Sequence, residues 1–325
     1  MIQTRELTKQ YGGLVALNKL TLDIGPGEVF GFIGPNGAGK TTTMKILSCL
    51  VQPDHGSASV AGFDIGRDAD QVRRNIGYMP DFLGVYDDLT VDEYLQFFAA
   101  AFGITRKNRA GIIGQVLELT DLTFKRHELV DSLSRGMQQR LGVARVLVHD
   151  PRVLFLDEPA SGLDPRARIE MRSLLQELGK MGKTLLVSSH ILSELAEMCT
   201  CIGIIERGTL LYAGSIQDAY ERTRARSDSA ERIVVTLEAQ SAPATLIAAR
   251  LASDERVAKA TADDASRTLT IDIKHRAASE AGSGMTGHHF VIEGIINAGG
   301  RIASFQPEQV RLEDAFLKLT TGAVQ

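Results

Sequence analysis

The run Gly34-Pro35-Asn36-Gly37-Ala38-Gly39-Lys40-Thr41 limits what this chain can fold into more than any other stretch. It fits the pattern G-x-x-x-x-G-K-[ST], and its surroundings fit as well. The apolar run Val29–Ile33 before it reads as a buried strand, and Thr41–Leu50 after it carries a helical period. A strand feeding a glycine-rich turn and then a helix aims backbone N–H groups, and the positive end of the helix, at a bound phosphate. Lys40 adds a full positive charge for the outer phosphates, Thr41 offers a hydroxyl to Mg²⁺, and Thr42 extends the donor set. A chance lysine in a glycine-rich turn would lack the flanking strand and helix. The expectation is a nucleotide site that uses Mg²⁺.

The alternation continues to about residue 220. Val153–Leu156 and Leu185–Ser188 read as further buried strands, with helical patterns at Gln138–Val148 and Ala167–Leu178. Strands alternating with helices predict an α/β layer fold around a mainly parallel sheet. At Glu221–Ser229 the sequence turns polar and loses its apolar period. The expected division is therefore a nucleotide-binding domain over 1–221, a linker over 222–231 and a small domain over 232–325. In the last of these we read a strand at Arg232–Leu237 and a helix at Pro243–Leu251. Strands at Arg256–Thr261 and Arg267–Ile273, a helix at Phe290–Ala298 and a strand at Arg301–Phe305 follow, then a helix at Leu312–Leu319. The order β-α-β-β-α-β matches a ferredoxin-like α+β module with an added helix.

Composition narrows the partners. The chain has 325 residues, 44% hydrophobic and 23% charged, enough for about two cores. A net charge of −4 does not suit a protein held to nucleic acid by its charge, so no nucleic-acid partner is expected. The 3 cysteines form no disulfide framework and suit a reducing compartment, and Cys199 and Cys201 lack a partner cluster for a metal. No run approaches the ~18 apolar residues of a membrane span. The candidates Leu141–Val148 and Ala242–Ala252 are broken by Arg145 and Arg250, and the start Met1–Glu6 lacks a leader pattern. A soluble chain is expected, carried to any membrane by another subunit.

Val153–Leu156 ends in Asp157-Glu158. Carboxylates at the end of an interior strand suit Mg²⁺ (Asp157) and an attacking water (Glu158). Around this strand the sequence resembles the ABC-type ATPases. Leu133-Ser134-Arg135-Gly136-Met137-Gln138-Gln139-Arg140 resembles their signature loop, and Ser161-Gly162-Leu163-Asp164 their D-loop. His190 after Thr184–Ser188 resembles the switch histidine, Tyr11 the aromatic that stacks on adenine, and Ile76-Gly77-Tyr78-Met79-Pro80-Asp81 the Q-loop. All stand in the family's order over residues 1 to about 220. The resemblance implies a composite site: two such domains meet head to tail, and Ser134, Arg135, Gly136 and Met137 of one face the phosphate loop of the other across ATP. Asp164 and His190 would complete the ATP contacts, with Glu158, His190 and Lys40 in catalysis and Thr41, Asp157 and Asp81 toward Mg²⁺. One nucleotide domain per chain implies a second subunit, most simply another copy.

Three positions depart from the family's pattern. Arg135 and Met137 replace a Gly and the Gln of the usual signature, and Asp81 stands where the Q-loop usually has Gln. Arg135 is expected to point away from ATP, since Ser134 and Gly136 supply the contacts there. Asp81 would approach Mg²⁺ through water while adding negative charge near the phosphates.

Phe82–Asp131 reads as a helical subdomain, placed at about 82–145, whose Tyr94, Phe97, Phe98 and Phe102 form a mostly buried stripe. In transporters of this family a groove beside the Q-loop receives a helix of the membrane subunit. The run Asp87–Tyr94 and the tail Arg311–Leu317 resemble ATPase subunits of exporters for drugs, antibiotics and lipid-linked sugars. This implies export through a separate permease at the cytoplasmic face of the cell membrane. The alternatives are a soluble ABC ATPase acting on a non-membrane complex, or an ATP-binding regulator. The soluble types generally carry two nucleotide domains or long coiled-coil insertions, neither of which is seen. Intact Asp157, Glu158 and His190 argue against a regulator.

Overall fold

The structure is a computed structural model that describes residues 1–82, 84, 88–219, 229–274 and 288–308. Leu312–Leu319, the tail Arg311–Leu317, Asp87 and the polar run through Asp228 lie outside the described residues. The chain separates into two compact units, Met1–Ile216 and Gln217–Gln325.

The first unit opens with the hairpin β1 (Ile2–Tyr11) and β2 (Leu14–Ile24), turned at Gly12, whose φ of +58° favours glycine. β4 (His55–Val60) and β5 (Phe63–Asp64) extend it into an antiparallel sheet ordered β2-β1-β4-β5. The second sheet is built on β3 (Val29–Ile33), every residue of which is buried. Its neighbours are β6 (Ile76–Met79), β7 (Val153–Leu156), β8 (Thr184–Ser189), β9 (Cys201–Glu206) and β10 (Thr209–Ser215). The order is β10-β9-β3-β8-β7-β6, with all pairs parallel except β10 on β9. Strands buried on both faces carry continuous apolar runs, which is why Val29–Ile33 and Val153–Leu156 show no alternation.

α1 (Lys40–Leu47) lies in the core between the sheets: Met44, Ile46 and Leu47 pack with Leu17 and Leu20 of β2 and with Phe30, Phe32 and Phe155. α2 (Ala69–Asn75) leads into β6. Between β6 and β7 stand α3 (Val91–Ala101), α4 (Arg106–Leu119) and α5 (Arg135–Leu147). Inside the run that resembles exporter subunits, Thr90 and Glu93 form a capping box: the Glu93 N–H donates to Thr90 Oγ1 (3.3 Å) and the Thr90 N–H to Glu93 Oε2 (2.9 Å). The aromatic stripe on α3 divides: Tyr94 is fully buried and packs edge-on against Phe98, while Phe97 and Phe102 are exposed. α6 (Pro165–Lys180) and α7 (Leu192–Ala196) complete the unit.

In the second unit β11 (Ser229–Leu237), β12 (Val257–Asp263), β13 (Thr268–Lys274) and β14 (Ile302–Glu308) form an antiparallel sheet ordered β12-β13-β11-β14. Helices Ala244–Leu251 and His289–Asn297 bury Ile247, Leu251, Val291 and Ile295 against Ile233, Val235, Leu269 and Ile271. Numbered within the unit, the strand order is 2-3-1-4, that of the ferredoxin-like module.

Candidate functional site

Strand register assembles the site. Ile33 pairs with Ser189, and Leu156 with Val187, so Gly34, Asp157 and Ser188 emerge together at the C-terminal edge of the parallel sheet. That edge is where open α/β sheets bind ligands.

The phosphate loop arches from β3 to α1. Pro35, Asn36 and Gly37 are exposed, Ala38 is buried, and the Ala38 N–H donates to Pro35 O (3.1 Å). Gly39 has a φ of +111° and leaves no room for a side chain, since a Cβ there would lie 2.6 Å from the Ala16 carbonyl. Lys40 is 5% exposed; its ammonium donates to Gly34 O (2.6 Å) and lies 3.3 Å from Glu158 Oε1. A cation held against loop carbonyls and a carboxylate is poised for a more highly charged partner. Thr42 sits half-buried on the first turn of α1.

The Thr41 hydroxyl donates to Asp157 Oδ2 (2.7 Å), and the Ser188 hydroxyl donates to Asp157 Oδ1 (2.6 Å). The Ser188 oxygen in turn accepts from the Glu158 N–H (2.9 Å). Glu158 adopts a φ of +51°, a left-handed conformation that costs a non-glycine residue about 1–3 kcal/mol and persists only where its surroundings enforce it. Three contacts do so: Ser188 on its N–H, Lys40 on Oε1, and His190 on Oε2 (2.9 Å). Because a carboxylate oxygen accepts, His190 Nδ1 carries the proton of that bond, and the ring remains half-exposed.

Asp81 follows β6 at the same edge. Desolvation, then repulsion from Asp157 and Glu158, pushes its carboxyl above the ordinary range; Arg135 and His190 oppose the shift. Next to it, Tyr78 has a buried hydroxyl, pushed up to about 12 by burial and by Asp157 and Asp81. Tyr11, at the end of β1, exposes 46% of its surface, and Lys9 Nζ stands 5.4 Å from its ring centre.

The signature turn is built differently. Ser134 caps α5, its hydroxyl accepting from the Met137 N–H (3.3 Å), so the first-turn amides of Arg135 and Gly136 are left for an outside acceptor. Asp164 caps α6 in the same manner, accepting from the Ala167 N–H (2.9 Å) with Pro165 in the first turn. The two turns lock together. A Cβ on Gly136 would meet Ala167 Cβ at 2.7 Å, and one on Gly162 would fall inside the Arg135 guanidinium. Arg135 thus lies on the D-loop of its own chain. Ser134, Gly136, Met137 and Asp164 line a concavity of about 250 Å³ that no phosphate-loop residue borders.

The structure therefore gathers Lys40, Thr41, Asp157, Glu158 and His190 into one bonded set and holds Ser134–Met137 with Asp164 in another. Ser188 and Tyr78 were not singled out from the sequence. Ser188 had a signal: a hydroxyl ending the apolar strand Leu185–Val187 beside the acidic strand. For Mg²⁺ the donors fit, since the Thr41 hydroxyl and Asp157 carboxylate are hard oxygens, and Mg²⁺ is held by one or two such groups plus substrate phosphates. Among the described residues no cluster of three or more His, Cys, Asp or Glu is arranged for a metal.

The fold and this edge define a phosphate-loop nucleoside triphosphatase. Residues 17–161 match the family described as ABC transporter. The chain is similar to the bacitracin transport ATP-binding protein of Bacillus licheniformis, 41% identical over 212 residues, covering 65% of this chain and 68% of the relative. To the Nod factor export ATP-binding protein of Burkholderia orbicola it is 39% identical over 214 residues, covering 66% and 70%. A solved dimeric bacterial ABC transporter cassette superposes with a TM-score of 0.61 at 26% identity, covering 66% of this chain and 99% of the cassette. The chain belongs to the ABC transporter family, as an ATP-binding subunit that hydrolyses ATP.

Proposed function

We propose that this chain drives an exporter: two copies close head to tail on two ATP molecules, and the closure is passed to a separate permease at the cytoplasmic face of the cell membrane. The roles of its relatives, bacitracin transport and Nod factor export, support the transport half of this reading. The observation that carries the composite site is the division just described, a bonded Lys40–Glu158–His190 set and a signature turn bordering a concavity of its own.

Each residue has a part. Lys40 exchanges Glu158 for the β and γ phosphates, and backbone N–H groups from Gly34 to Gly39 cradle them. Thr41 and Asp157 would hold Mg²⁺, with Asp81 at the same edge, and the ion would supply positive charge against the developing phosphate charge. Glu158, released from Lys40, accepts a proton from the attacking water. His190 gives Nδ1–H to Glu158, so a hydrogen bond from Nε2 to the γ-phosphate requires the ring to carry both protons. Tyr11 stacks on the base. Ser134 and the first-turn amides of Arg135 and Gly136 bind the γ-phosphate held by the partner copy.

The test is a pull-down of tagged Glu158→Gln with ATP from detergent-solubilised cells. Co-purification of a polytopic membrane protein supports the reading. Recovery of ribosomes or another soluble complex, with no membrane protein, replaces it.

A further inference from the structure

α6 and α7 are joined by a polar seam that the hydrolytic set does not include. Arg168, Arg172 and Gln176 recur every fourth residue on α6 and so form one stripe. Each has a partner on the segment after the switch histidine. Arg168 Nε lies 3.0 Å from Glu194 Oε1, Arg172 pairs with Glu197, and Gln176 Nε2 donates to Glu197 O (2.9 Å).

The Arg168 end differs from the other two because it reaches both functional loops. Its Nη2 donates to the Leu163 carbonyl (3.3 Å) in the D-loop, one residue before the Asp164 cap. Its partner Glu194 has a side chain only 9% exposed, and Glu194 Oε2 accepts from Ser189 Oγ (3.2 Å). Ser189 Oγ also accepts from the Ile191 N–H (3.0 Å), so it fixes the turn on both sides of His190. His190 then bonds Glu158 at 2.9 Å. A continuous path of polar contacts therefore runs Leu163, Arg168, Glu194, Ser189, and from the His190 turn to Glu158.

We propose that Arg168 and Glu194 are positioning residues that tie the D-loop to the switch turn, so that the D-loop's setting determines where His190 stands against Glu158. This rests on the reading that Glu158 and His190 act in hydrolysis. The guanidinium suits the task, since it forms an ion pair with the Glu194 carboxylate while its Nη2–H holds the Leu163 carbonyl, whereas a lysine ammonium at Arg168 would keep the ion pair and lose the second reach. Neither residue touches the nucleotide set directly. Their loss shifts the geometry of the reacting groups and leaves the phosphate cradle intact.

The experiment measures ATP affinity by titration and saturated turnover per nucleotide-binding site for Arg168→Ala, Arg168→Lys, Glu194→Gln and Arg172→Ala, with Glu158→Gln alongside. Counting binding sites removes any unfolded fraction. We expect Arg168→Ala and Glu194→Gln to lose about tenfold in turnover with affinity unchanged, as small misplacement of reacting groups does. Arg168→Lys should fall between these and wild type. Arg172→Ala, which breaks the neighbouring ion pair and reaches neither loop, should turn over as wild type does. Turnover per site within twofold of wild type for Arg168→Ala and Glu194→Gln overturns the proposal, as does an equal loss in Arg172→Ala, which would make the seam a simple clamp. If Glu158→Gln itself hydrolyses at the wild-type rate, the failure lies in the underlying reading.

Discussion

The two halves of the proposed composite site are held in opposite ways. At the sheet edge, buried Lys40 and Asp157 and nearly buried Glu158 are linked through Thr41, Ser188 and His190, with Lys40 and Glu158 joined as an ion pair. At the signature turn, the Ser134 hydroxyl is spent on capping α5, and the structural contacts are steric: Gly136 on Ala167, Arg135 on Gly162. One half stores charge in paired form. The other offers helix-start amides beside a mixed set of charges, Asp164, Arg140, Arg166 and Glu170, with Arg135 turned onto the D-loop. In the reading proposed above, such a turn receives the anion that the phosphate-loop half of a second copy would present.

Substitutions in the two halves should therefore fail differently. Glu158→Gln removes the proton acceptor, and turnover should fall about 10³-fold while ATP still binds and a dimer accumulates, read by phosphate release and light scattering. Ser134→Asp keeps a good helix cap but sets a carboxylate where the partner's phosphate would lie. It should cost roughly 100-fold in turnover, and ATP affinity measured at high dilution should stay within about twofold of wild type. Lys40→Ala should weaken ATP binding by about 10–100-fold, the loss expected for one charge-assisted hydrogen bond. Equal loss of ATP affinity in Ser134→Asp and Lys40→Ala would erase the distinction between the halves.

Two smaller effects sharpen it further. His149 gives a ring N–H to Ile76 O (2.8 Å) and stacks on Phe102 at 3.7 Å, and burial holds it below the usual histidine range. A histidine lowered in the folded state contributes stability above its unfolded value of about 6.5 and loses it as pH falls below that. Between pH 7.5 and 5.5 the wild-type melting temperature should drop more than that of His149→Asn, read by thermal melts at the two pH values. Asp81 has the opposite sign. A carboxyl raised in the folded state favours folding only once protonated, so its charge opposes folding at neutral pH. Asp81→Asn should raise the melting temperature slightly at pH 7.5, and the gain should shrink as pH falls.

The sequence was most legible where chemistry and periodicity coincide. Gly34–Thr41 reads as a phosphate loop because the residue types, the strand before it and the helix after it all serve one ligand. The second unit's strand order followed from its alternation of elements. Pairings over long separations left no local trace. The bond of Ser188 to Asp157 depends on strand register, which is set only when β8 is laid between β3 and β7. Arg135 shows the same limit: its guanidinium lies against Gly162, and nothing near residue 135 names Gly162 as its seat. Of the buried stripe expected on α3, Tyr94 alone is fully buried: Phe98 is half-buried, Phe97 is exposed, and Phe102, just past the helix end, covers one face on His149 and exposes the rest.

The most direct measurement mixes two crippled chains. Lys40→Ala keeps an intact signature turn, and Ser134→Asp keeps an intact phosphate loop. Assayed together, they form mixed dimers in which one of the two composite sites is whole. The account predicts that the mixture hydrolyses ATP well above the sum of the separate chains, approaching about a quarter of wild-type turnover at equal amounts if pairing is random. A mixture no more active than that sum would contradict a site shared between two copies.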